Sequence, residues 1–146
     1  MTRGAAVLVA LLVGCAAFAP RAEAQAPAQR SANTSAGSSS RSVLDGVYTP
    51  AQAKRGNEIR TASCSACHGG NDWSGNFMRG WSGRTVEDLV DHLRSSMPMD
   101  APGSLGRQQY ADLVAYMLSI NGIPAGKAEL KADASMKSIV IEPKKR

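Results

Sequence analysis

Cys64, Cys67 and His68 stand in the pentapeptide Cys64-Ser65-Ala66-Cys67-His68. On a helical backbone the two thiols lie about one turn apart, so both reach one edge of the same flat group. C-x-x-C-H is the attachment signal for c-type haem. The thiols add to its two vinyl groups as thioethers, and His68 offers an imidazole nitrogen to the iron. This spacing points to one covalently attached haem c and to redox chemistry.

An iron that only exchanges electrons has both axial positions filled, and a Met/His pair raises its potential. Of the six methionines, Met1 belongs to the leader, Met78 follows the pentapeptide closely, Met117 sits on an apolar helical stripe and Met136 lies near the C-terminus. Met97 and Met99 remain, in Ser96-Met97-Pro98-Met99. A residue before proline is biased towards extended backbone, which favours Met97 as the second ligand with Met99 as the alternative. His92, between Asp91 and Leu93, falls off the apolar stripe of its segment and reads as a solvated helix histidine. Trp73 and Trp81 read equally as core residues or as groups packed on the haem edge.

Three helices with marked ends position these residues. Thr49-Pro50-Ala51-Gln52 is a helix start, with a capping Thr, Pro at the first helical position and Gln three residues after the cap. That helix runs towards Cys64. A second starts at Thr85, with Asp88 completing a capping box and Val86, Leu89, Val90 and Leu93 spaced as one stripe. A third runs from about Arg107 to Ile120, buries Tyr110, Leu113, Val114, Met117 and Ile120, and stops at Asn121-Gly122. Ser138-Ile139-Val140-Ile141 suggests a short strand or extended segment laid over the body.

The N-terminus reads as an export signal over 1–24: Arg3, an apolar run from Ala5, and an A-x-A cleavage site at Ala22-Glu23-Ala24. The run is shorter than a membrane span. Leu12-Val13-Gly14-Cys15 also resembles a lipobox, with a lipidated Cys15 and membrane attachment as the alternative. Either route leads out of the cytoplasm, to the periplasm. Residues 25–45 are small and polar and read as a disordered linker, 46–126 as the folded domain, and 127–146 as a basic C-terminal tail. Cys15 leaves with the leader, so no disulfide is expected if both remaining cysteines bind haem.

The net charge of +5 falls to +4 without the leader. Residues 46–126 hold seven basic and seven acidic side chains, so the positive charge sits in the flanks. A nucleic-acid-binding domain clusters basic residues on its folded face, and this body does not. The body is near the size at which a single apolar core barely supports a fold, and a buried haem supplies much of the missing apolar surface.

In order along the chain come Gln52-Ala53 and Gly56, the C-x-x-C-H pentapeptide, Trp81, Thr85-Val86 and Asp88-Leu89. Met97-Pro98, Pro102-Gly103-Ser104-Leu105, Tyr110, Ala115-Tyr116, Asn121-Gly122 and Pro124-Ala125-Gly126 follow. This ordered set resembles the class I c-type cytochrome family, in particular bacterial monohaem cytochromes found beside quinoprotein dehydrogenases. The resemblance covers Val47 to Gly126. It implies an all-α fold of three main helices around one covalently bound haem, with extended flanks. It also implies a one-electron carrier, not an enzyme, either freely diffusing or the electron-accepting subunit of a dehydrogenase, with redox partner proteins: a dehydrogenase donor and a downstream cytochrome or oxidase acceptor. It places the methionine ligand immediately before proline, and it implies that the first and last helices cross closely at Gly56 beside Tyr116. Family members have a proline soon after the pentapeptide, whose carbonyl accepts the far ring proton of the haem histidine. Here no proline lies between His68 and Pro98, so another carbonyl of the loop Gly69 to Gly80 is expected to serve.

Other functions fit less well. A haem enzyme or ligand sensor with an open sixth iron position is the alternative, but no acid–base set accompanies the haem motif. Zinc on Cys64, Cys67, His68 and His92 would need adjacent Cys67 and His68 as ligands, unlike usual zinc spacing. A thioredoxin-like pair needs a βαβ setting, and the pattern here is helical.

Overall fold

The computed structural model describes residues 40–142. The leader, the Cys15 lipobox and most of the expected linker lie outside the described residues. Four α-helices, two very short strands and two 3-10 helices (Val43–Asp45 and Ala134–Ser138) make up the regular structure of the described residues, the α-helices and strands in the order β1 (Arg41–Ser42), α1 (Pro50–Ser63), α2 (Asn76–Gly80), α3 (Val86–Ser96), α4 (Arg107–Ile120) and β2 (Ile139–Val140). All three expected helices are present, and α4 has the expected bounds.

Local chemistry sets the helix starts. The Thr49 hydroxyl accepts the Gln52 N–H at 3.1 Å with Pro50 in the first turn. At α3 the full capping box forms: Thr85 Oγ1 accepts the Asp88 N–H, and Asp88 accepts the Thr85 N–H at 2.9 Å. The expected capping role of Gln52 is not realised. Its fully buried side chain turns inward instead, where a long-range partner outcompetes the exposed cap. Its Oε1 accepts the Leu130 N–H at 2.8 Å, and its Nε2 donates to the Leu130 carbonyl and to Asp112.

The centre of the molecule is α4. The sequence predicts one buried stripe, but Ala111, Asp112, Ala115 and Leu118 are buried as well, while Ile120 is only half-buried. The helix packs on α1 along one face and on α3 along another, so a single stripe cannot describe it. The α1/α4 crossing turns on Gly56: a Cβ there would stand 1.9 Å from the Asp112 carbonyl oxygen and 2.9 Å from Tyr116 Cβ. Only glycine admits this approach, as the resemblance implies. Buried Asp112 is matched by Gln52, Gln108 and Arg55, whose Nε lies 3.2 Å from Oδ2.

The strand expected within Ser138–Ile141 forms at Ile139–Val140, and around it the flanks are more ordered than the sequence predicts. The linker expected over 25–45 already pairs and packs at 40–45. β1 runs parallel to β2, Arg41 opposite Ile139 and Ser42 opposite Val140, and Val43 is fully buried. The tail expected over 127–146 folds back over the body where it is described. Leu130, Met136, Ile139 and Ile141 are all buried, each contributing about 1.5–3 kcal/mol. A short 3-10 helix at Ala134–Ser138 packs on α3. Four apolar residues spread through a polar segment leave little periodic signal; the 3-10 helix and β2 pack on α3, while the Leu130 backbone is held by Gln52 of α1 and Gln108 of α4.

Candidate haem site

The helix α1 delivers the pentapeptide. Cys64 caps it, donating its N–H to the Arg60 carbonyl at 2.9 Å, and the N–H groups of Cys67 and His68 both return to the Cys64 carbonyl. This extra turn holds the two thiols and the imidazole in one compact loop. Both thiols are free; Cys64 is half-buried and Cys67 exposed. Burial pushes the Cys64 thiol up, and the nearby Arg60 charge partly offsets the rise.

The pentapeptide borders a cavity of about 530 Å³, within the range of about 300–1,000 Å³ typical of bound prosthetic groups and small ligands. Cys64, Cys67 and His68 line it, joined by Trp73 and Phe77. The segment after α3 lines it with Met97, Pro98 and Met99, and Leu93, Leu113 and Met117 add apolar surface. An apolar cavity with two free thiols and the His68 imidazole on its border fits a flat, largely apolar group anchored through sulfur, with iron at its centre.

The two candidate methionines differ. Met97 is half-buried, with φ −132° and ψ 148°, the extended conformation expected before proline. Its N–H donates to the Leu93 carbonyl at 2.8 Å, and its carbonyl accepts the Tyr110 hydroxyl at 2.7 Å. Met99 is 78 % exposed. Met117 also reaches the cavity, from α4, whereas Met78 is buried away from it and Met136 packs in the 3-10 helix. Exposed His92 borders the cavity and stacks against Trp81 with ring centroids 5.2 Å apart. Trp73 lines the cavity beside His68, centroids 5.5 Å apart; Trp81 does not line it and packs on Phe77.

Around the imidazole, no loop carbonyl among the described residues accepts a hydrogen bond from the ring, and the charged group beside it is a carboxylate. His68 Nδ1 lies 3.5 Å from Asp72 Oδ2. Three further residues shape the site without any chemical motif. Asn121, predicted only as a helix stop, donates to the Trp73 carbonyl at 2.9 Å and accepts the Gly75 N–H at 2.9 Å, tying the 69–80 loop to the end of α4. Tyr110, predicted only as core, holds the Met97 backbone; a buried phenol needs a partner, which is the one signal the sequence carried. Arg60 reaches the His68 carbonyl at 3.4 Å.

A family model described as cytochrome C oxidase, cbb3-type, subunit III, matches residues 51–117. Every residue bordering the cavity falls inside that match. Residues 51–117 form a class I c-type cytochrome domain. No curated protein and no solved structure matches the chain. A cytochrome domain of this kind carries covalently bound haem c, carries electrons through it, and works with redox partner proteins. The residues that pack over the domain from outside the match, Val43 and Leu130 to Ile141, do not touch the cavity.

Proposed function

We propose that this protein is a periplasmic monohaem cytochrome passing one electron at a time. Cys64 and Cys67 would hold the haem through thioethers, and His68 and Met97 would ligate its iron. The observation that carries this reading is the convergence of both thiols, His68 and the Met97 segment on one apolar cavity. Met97 is favoured over Met99 because its backbone is fixed by Leu93 and Tyr110, whereas Met99 points into solvent. When bound, the haem supplies the one-electron couple of its iron. The chain supplies anchorage, axial ligands and an apolar enclosure that excludes water and raises the potential.

The partners proposed are a dehydrogenase, quinoprotein in class, as donor, and a downstream cytochrome or oxidase as acceptor. The oxidase-subunit description of the matched family supports the acceptor side. Exposed Met99 at the cavity border offers an apolar contact for transient docking, of the kind that buries under about 1,200 Å². The export signal supports the periplasmic location, since this type of haem is attached outside the cytoplasm.

The test is the absorption spectrum of the dithionite-reduced protein in alkaline pyridine after export from a cytochrome-maturing host. A c-type haem spectrum that survives acid–acetone extraction is expected. Folded protein with the bare polypeptide mass overturns the reading. Carbon monoxide should bind the reduced protein poorly; rapid, tight binding would show an open iron position and a different function.

A further inference from the structure

Resting on the haem reading above, we propose that Asp72 is the positioning residue for the iron-ligating histidine, and that its carboxylate biases the site towards the oxidised state. With one imidazole nitrogen directed to the iron, the other faces the 69–80 loop. The group it meets is Asp72 Oδ2, at 3.5 Å. A ring rotation that closes this gap by about 0.6 Å makes a direct N–H···O hydrogen bond.

Asp72 does not depend on His68 for its place. The same Oδ2 accepts the Gly69 N–H at 2.9 Å, and the carboxylate lies against Gly69, within 3.3 Å of where a Cβ would stand. Three neighbouring carbonyls already accept hydrogen bonds. That of Asn71 accepts from Ser74 N–H at 3.1 Å and from its hydroxyl at 2.8 Å; that of Trp73 accepts from Asn121; that of Ser74 accepts from Phe77 N–H at 3.3 Å. The His68 carbonyl faces Arg60. The neutral acceptor that a proline would present is thus replaced by an anion already docked on the loop.

The chemical consequence has a definite sign. A metal-binding histidine that donates its second N–H to a carboxylate becomes a more basic ligand and is fixed in orientation. The more basic ligand, and the negative charge itself, stabilise the higher iron charge. The Asp72 side chain is 49 % exposed, so water screens the bare charge and the hydrogen bond carries most of the effect.

Asp72→Asn keeps a carbonyl oxygen for the Gly69 N–H and removes the charge. At the wild-type midpoint it is expected to raise the reduced-to-oxidised ratio from one to about ten, or about 59 mV for one electron. Asp100→Asn, which removes the carboxylate of a residue that lines the cavity, serves as the charge control and should shift the potential less. Equal shifts in the two variants overturn the proposal. Proton NMR of the reduced wild type keeps the question open to refutation should Asp72→Asn fail to mature. The His68 ring N–H should show an Overhauser contact to the Asp72 β protons, and contact with other loop protons alone overturns it. Covalent haem with an unshifted potential sinks only the role of Asp72; absence of covalent haem sinks the site reading itself.

Discussion

Replacing Gly56 by alanine tests the architecture that aims the haem motif. The new Cβ would lie 1.9 Å from the Asp112 carbonyl oxygen, 2.6 Å from its carbon and 2.9 Å from Tyr116 Cβ. Ordinary C···O contact begins near about 3.3 Å, so α1 and α4 must part by about 1.4 Å. Two of the three obstructing atoms are backbone and cannot rotate aside. Overpacking costs about 1–3 kcal/mol, and a backbone clash belongs at the upper end. Alanine returns about 1 kcal/mol of helix propensity, leaving a net loss of about 2 kcal/mol. For a domain of this size that lowers Tm by about 8–16 °C. The same movement displaces Cys64, at the end of α1, relative to Leu113 and Met117 on α4, which share the cavity. Guanidinium unfolding of the oxidised holoprotein, followed by haem absorption and circular dichroism, reads the loss. Gly80→Ala is the control, since nothing lies within 4 Å of its Cβ position; it should be neutral or stabilising by up to about 1 kcal/mol. A Gly56→Ala midpoint at or above wild type would refute the close crossing.

Further outcomes follow from the same geometry. Met97→Ala should lower the potential and abolish the weak sulfur-to-iron absorption at the red end of the spectrum, while Met99→Ala retains it; the reverse result transfers the ligand to Met99. Gln52→Ala leaves the buried Leu130 N–H without its partner and should cost about 2 kcal/mol, with faster amide exchange at Leu130; unchanged exchange there would show that Gln52 does not anchor the C-terminal segment. Asp88 is held below the usual carboxylate range by hydrogen bonds from the Thr85 N–H and hydroxyl. Because its folded value lies below its unfolded value, near about 3.9, its contribution is complete above that pH and is lost as pH falls through the folded value. Asp88→Ala should therefore cost about 1 kcal/mol at neutral pH, with the gap to wild type closing below about pH 4. A gap that stays constant from pH 6 to pH 3 would exclude this linkage.

What was legible in the sequence was local. The Thr49-Pro50 start, the Thr85/Asp88 box, the α3 stripe and the Asn121-Gly122 stop act within one or two turns, where spacing alone decides which groups meet. The C-x-x-C-H pentapeptide is local in the same sense, since its two thiols and imidazole are brought together by one turn of backbone. Tertiary structure decided whatever depends on a partner far along the chain. Gln52 serves as an anchor for Leu130, 78 residues away, because burial makes an unpaired amide costlier than an unmade exposed cap. Asn121 ties the haem loop to α4, and Tyr110 pins Met97, through bonds that no periodicity encodes. The ordering of 127–142 rests on four scattered apolar residues whose stabilisation exists only once the packed helices present a surface to cover. Asp72 lies only four residues from His68, yet it faces the imidazole because an irregular loop turns its carboxylate onto the Gly69 N–H, and such a loop carries no periodic signal that a sequence could show.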